Sequence, residues 1–203
     1  MKYEKKPISA LLRSSKTVFT LKDLALFWDN SDQQSLIAGA GYYIKTGQLK
    51  RIRRGIYVKD EKYSKIEAAT RIYTPSYVSF ETVLGMEGVI FQYYGQIFVA
   101  SYLSREIKAD NQKYIYRKMK DEILLNPLGI TNKNNYSIAT KERAFLDVLY
   151  LNTDYYFDNL SSMDWDKVQE ILPVYGGNKR MAKIVKILRD NELNNLKQKT
   201  YDV

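Results

Sequence analysis

Cysteine and histidine are both missing from the 203 residues of this chain. Without cysteine there is no disulfide framework, no thiolate metal site and no cysteine nucleophile. Without histidine the chain loses the commonest general base, the commonest transition-metal ligand and the side chain that titrates near neutrality. Catalysis would be left to carboxylate, Lys, Tyr or Ser chemistry, usually with Mg²⁺. No catalytic residue, metal site or cofactor is therefore expected. Long apolar runs are absent too: nowhere do about 18 consecutive apolar residues occur. The charged opening Met1–Lys6 leads into no signal-type segment. A cytoplasmic protein with no membrane partner is the expectation.

Acidic residues are scarce in one region only. Residues 1–59 carry 12 Lys and Arg against 4 Asp and Glu, which is +8 of the chain's +9; from Asp60 onward the balance is 20 to 19. The basicity is thus a local property, and a boundary near Lys59 to Ser64 separates a cationic module, residues 1–60, from a nearly neutral one, residues 64–203. With 45% hydrophobic residues, the chain can bury a real core as one large or two small domains.

Within the cationic module, Pro7 can open a helix to about Ser14, with Ile8, Leu11 and Leu12 on one face. Thr20 and Asp23 have capping-box spacing, and Phe19 with Leu24 that of a hydrophobic staple, so a second helix runs to about Trp28. Ser31 with Gln34 repeats the signal. It opens a third helix with Leu36, Ile37, Ala40, Tyr43 and Ile44 inward, closed by Gly47. Gly39 and Gly41 cost this helix about 1 kcal/mol each relative to Ala, which implies close packing or close approach of a ligand. The segment Gln48–Lys59 then reads as a two-stranded hairpin with Gly55 in its turn and cations around its tip.

Two capped helices followed by an Arg-rich hairpin is the order of a winged helix-turn-helix. The N-terminal part of the third helix would meet base edges, and Gln carries the donor–acceptor pair that matches adenine. The candidate DNA-binding residues are Gln33, Gln34, Ser35, Tyr42 and Lys45 on the helix, with Lys50, Arg51, Arg53 and Arg54 on the hairpin facing phosphates. A solvated polar cap and a solvated charged face are the plain alternatives, and position in the motif decides against them.

The neutral module reads as mixed α+β. Helical patterns cover 63–73, 79–87, 140–150, 165–172 and 178–193, while Ile97–Ala100, Tyr114–Tyr116 and Tyr136–Ala139 are strand-like. The polar tail from Asn194 reads as frayed. The fold class is α+β, a winged helix-turn-helix followed by a mixed domain ending in helices.

Three segments carry a family resemblance: the hairpin Leu49–Val58, the stretch Tyr77–Leu84 with Gly88–Ile90, and the run Ile138–Asp147, which contains Ala-Thr-Lys-Glu-Arg-Ala-Phe-Leu-Asp. Together they resemble the AbiEi antitoxins of abortive-infection toxin–antitoxin systems, over roughly residues 8 to 150. The resemblance implies a repressor that binds inverted repeats in its own promoter. It also implies a domain that counteracts a neighbouring nucleotidyltransferase toxin, which stands as a second candidate partner. Monomer and homodimer both stay open. The chain ends with a shorter C-terminal portion than many members have.

Within that last run, Arg143 and Asp147 are i and i+4 on a helix and Glu142 lies in its first turn. An internal ion pair anchoring the helix is favoured over catalysis, with a partner surface as the third option. Two other functions compete. A Mg²⁺-dependent nuclease would use Glu106-Ile107-Lys108 with Glu81 or Glu87, a spacing that arises readily by chance. A solitary transcription factor would sense a ligand through its rear domain.

Overall fold

A computed structural model describes the backbone of residues 8–133 and 135–201, with side chains up to Asn194. The expected opening of the first helix at Pro7 lies outside the described residues. The fold is mixed α+β, as the residue patterns imply. Among the described residues no helix is long and apolar enough to cross a membrane.

The N-terminal unit runs α1 (Ser9–Arg13), β1 (Val18–Thr20), α2 (Leu21–Phe27), α3 (Gln33–Lys45), β2 (Lys50–Arg53) and β3 (Ile56–Val58). Its sheet has the order β1-β3-β2, antiparallel throughout. Leu11, Phe19, Leu24, Trp28, Leu36, Ala40, Tyr43, Leu49 and Tyr57 form its own core. β1 was not legible in the sequence, because three residues are too short to show alternation.

The rest of the chain builds a six-stranded mixed sheet in the order β6-β7-β5-β4-β9-β8. Its strands are β4 (Ser76–Val78), β5 (Gln96–Ser101), β6 (Arg105–Ala109), β7 (Gln112–Lys118), β8 (Ile130–Lys133) and β9 (Tyr136–Ala139). α4 (Lys65–Ile72), α5 (Phe80–Met86), α6 (Asp121–Leu124), α7 (Lys141–Leu151), α8 (Trp165–Ile171), a 3₁₀ turn at Leu172–Tyr175 and α9 (Lys179–Tyr201) complete it. All three expected strands lie within β5, β7 and β9. The tail expected to fray from Asn194 continues instead as helical backbone to Tyr201. Arg180 ties α9 to the end of α7 by donating to the carbonyls of Leu149 (2.7 Å) and Asn152 (2.9 Å), which satisfies carbonyls that a helix end leaves unpaired.

The two units are not joined by a linker across open space. Val18, Ile56 and Val58 belong to the larger core, alongside Ala68, Tyr77 and Tyr116. Buried Glu67 of α4 accepts hydrogen bonds from the Thr17 N–H (2.9 Å) and hydroxyl (2.6 Å), just ahead of β1. The change of charge near residue 60 therefore marks a change of surface, while the apolar interior continues across it.

Candidate nucleic-acid interface

The helix pair α2–α3 is set by its caps. Thr20 and Asp23 form a reciprocal capping box. Burial pushes the Asp23 carboxyl up, but Lys16 at 2.6 Å and the Thr20 donors outweigh it and hold it below the usual range. The start of α3 differs from the sequence reading. Asp32, not Ser31, is the cap residue and accepts from the Ser35 N–H at 2.8 Å. The carboxylate is the better acceptor for an exposed helix N-terminus, since it also complements the helix dipole. Ser35 donates its hydroxyl to Asp32 as well, the main reason the Asp32 carboxyl lies below its usual value. That hydroxyl is thus engaged in capping.

The buried face of α3 is Leu36, Gly39, Ala40 and Tyr43, the i, i+3, i+4, i+7 stripe. Ile37, expected inward, is 49% exposed. It sits one residue, about 100°, around the helix from Leu36. The two glycines separate by position. Gly39 is buried, whereas a Cβ at Gly41 would meet nothing within 4 Å. The outward face carries Gln33, Gln34, Ile37, Ala38, Tyr42 and Lys45, all exposed. Tyr42 is braced edge-on against Tyr43, with ring centroids 5.2 Å apart.

The hairpin turns at Arg54-Gly55, where Gly55 takes a φ of 77° that a side chain would disfavour. A register shift between Arg51 and Arg53 kinks β2. The four hairpin cations do not share one environment. Arg51 and Arg54 are exposed, and Arg53 is half-buried near Tyr116 of β7. Lys50 is paired within the chain: its ammonium lies 2.6 Å from Asp110 and 2.9 Å from Glu61. Two further cations of the basic region are structural. Lys16 pairs with Asp23, and Lys59 donates to the carbonyls of Leu12 and Ser14, closing the end of α1. Arg13, Lys22, Lys45, Arg51, Arg53 and Arg54 enter none of the ion pairs found among the described residues.

In the rear domain Arg143 and Asp147 are each 0% exposed. The Arg143 Nε is 3.4 Å from Asp147, and the guanidinium donates to the carbonyls of Leu128 (2.8 Å) and Ile123 (2.6 Å) and to the Tyr77 hydroxyl (3.1 Å). Asp147 accepts from the hydroxyls of Tyr77 (3.0 Å), Ser79 (2.7 Å) and Tyr175 (2.7 Å). Burial raises the phenol pKa values of Tyr77 and Tyr175 well above normal, so both remain O–H donors. Ser79 precedes α5 without capping it, because its hydroxyl is given to Asp147. The cluster is buried and its groups bond mostly to one another, with the Arg143 Nε held only by its ion pair to Asp147, which suits an anchor holding α7 to β4 and the 3₁₀ turn. Glu142 is also buried and lines a cleft with Glu87 and Lys167.

The carboxylates of the nuclease reading are dispersed. Glu106 lies on edge strand β6 bound to Lys113 at 2.8 Å, and Glu81 is held by Arg117 at 2.9 Å. Among the described residues no group of three Asp or Glu side chains is placed to hold a metal ion. Sequence reasoning missed Asp110, which the Asp110-Asn111 turn, with φ values of 48° and 62°, aims at Lys50 and Lys65. Consecutive Asp-Asn between two alternating segments was the available signal, since both residues tolerate the left-handed region of a tight hairpin. No protein-family model matches the chain, and no curated protein matches it either.

Proposed function

We propose that this chain is a sequence-specific DNA-binding repressor of its own promoter, with residues 1–60 as a winged helix-turn-helix head, acting in the cytoplasm. The observation that carries the reading is the outward face of α3. Gln33, Gln34 and Ile37 stand exposed there outside the core and Tyr42 is exposed beside them, while Lys45, Arg51 and Arg54 on the same unit enter none of the ion pairs found among the described residues. Amides match base edges, an exposed isoleucine matches a thymine methyl, and cations match phosphates. The deciding test is a mobility-shift assay of the full chain on its own promoter. Preference for that DNA over random duplex at moderate salt supports the reading, and equal binding to both ends it.

The second half of the proposal is an antitoxin role of the AbiEi kind for the domain that follows, against a nucleotidyltransferase toxin. It rests on the resemblance of the hairpin, of Tyr77–Leu84 and of Ile138–Asp147. Coexpression of the full chain with the product of a neighbouring nucleotidyltransferase gene tests it. A chain carrying Gln33→Ala, Gln34→Ala and Arg54→Ala separates the two activities: rescue by this variant indicates direct action on the toxin. Rescue lost along with DNA binding indicates protection through repression alone.

A further inference from the structure

On the rear domain, the end of α4 and the β8–β9 hairpin bound an open cleft of about 440 Å³. Arg71 and Lys133 are its charged residues. The remaining lining is neutral and hydrogen-bonding, including Asn132, Asn135, Tyr136 and Ser137, with no carboxylate. The Arg71 Nε is buried without a hydrogen-bond partner. Neither cation takes part in any ion pair found among the described residues. A guanidinium that lines the cleft without an ion-pair partner suits an anion that accepts two parallel N–H bonds. The Ser137 hydroxyl lies 2.7 Å from the Asn132 Oδ1, which leaves the Asn132 amide N–H groups to donate elsewhere.

We propose that this cleft binds the phosphate group of a small phosphorylated molecule. Arg71 takes two of its oxygens, and Lys133 and Asn132 assist. The volume exceeds what a bare phosphate needs and falls in the range of small-molecule sites, so the bound molecule carries a polar body that the neutral side chains face. The cleft also touches the head: the Asn135 amide donates to the Ser15 carbonyl at 3.1 Å, in the segment leading to β1. An occupant would thus lie one hydrogen bond away from the DNA-reading unit. A duplex phosphate offers the same oxygens, and the experiment has to separate the two sources.

Calorimetric titration of the full chain with 5′-AMP, a hexose phosphate and inorganic phosphate, with adenosine as the unphosphorylated control, provides the test. At least one phosphorylated probe should bind, and Arg71→Gln and Lys133→Gln should each weaken it about tenfold, as expected for loss of a charge-assisted contact. Lys133 is exposed, so its substitution leaves the fold intact, and thermal melting verifies this for both variants. Absence of binding by any phosphorylated probe up to millimolar concentration overturns the proposal, as does adenosine binding equally well. So does a loss of promoter affinity in both variants without probe binding, which would assign the cations to the DNA backbone.

Discussion

Lys50 of β2 and Asp110 of the β6–β7 turn, 60 positions apart in sequence, meet at 2.6 Å. A cation that the sequence groups with Arg51, Arg53 and Arg54 is therefore a strut between the hairpin and the large sheet, and Lys65 holds the same carboxylate at 3.2 Å. The expected consequence is a division among the four. Arg54→Ala should lower the salt slope of DNA binding by about 1, the signature of one lost phosphate contact, while Lys50→Ala leaves that slope unchanged. Affinity measured across a salt series for both variants decides the point.

The same contact predicts acid sensitivity. Hydrogen bonding to Lys50 is the main cause that lowers the Asp110 carboxyl from 3.8 to about 2, against a smaller opposing effect of burial. A carboxyl depressed in the folded state stabilises the fold at pH values above its unfolded pKa, and this contribution is lost as the pH falls through the folded value. The contribution of Asp110 should thus be complete above about pH 4 and disappear towards pH 2. Urea midpoints measured across this window should fall less steeply for Asp110→Asn than for the parent chain.

If the six cations of the head that enter no ion pair among the described residues all reach phosphates, log K against log salt should fall with a slope of about −5. A measured slope well below this would confine the footprint to α3 and the hairpin tip. Gln33→Ala and Gln34→Ala should change preference at particular base pairs by about 1 to 3 kcal/mol per bidentate contact. Selection from a randomised operator library reports that change directly.

Gly41 offers a test with opposite signs. Nothing lies within 4 Å of a Cβ there, so Gly41→Ala should raise stability by about 1 kcal/mol through helix propensity alone. On the proposed DNA-facing side the added methyl should reduce operator affinity. A variant that melts higher and binds DNA unchanged would show that the duplex stays away from this part of α3.

The buried Arg143–Asp147 cluster should be intolerant of one-sided change. Asp147→Ala leaves three hydroxyls without their acceptor and a buried guanidinium without its counter-charge, and the expected loss is about 3 to 5 kcal/mol by chemical denaturation. Gly129→Ala should also destabilise. A Cβ there would lie 2.8 Å from the Ile171 Cδ1 and 2.9 Å from the Arg143 Cβ, at a φ of +74°, a backbone conformation that L side chains rarely adopt.

Local signals were the legible ones. The Thr20–Asp23 box, the β-branched and aromatic runs of β5, β7 and β9, and the i, i+4 relation of Arg143 and Asp147 are all written within a few residues. Features set by distant partners were not. β1 and β4 each have only three residues, and the buried face of α3 was misplaced at Ile37 because Gly39, which has no side chain to mark it as inward, packs there with Leu36, Ala40 and Tyr43. Lys50 looked like its neighbours until the large sheet supplied Asp110. In each case tertiary packing overrode a local pattern.

The shared interior formed by Val18, Ile56 and Val58 with the large sheet limits how such a protein could acquire a new target. If the N-terminal unit reads DNA as proposed, it is no exchangeable cassette, since a foreign unit would arrive with the wrong underside against the larger core and α4. On that proposal, change of specificity is channelled instead into single substitutions on the outer face of α3, where the exposed Gln33, Gln34 and Ile37 can vary without disturbing what lies beneath them.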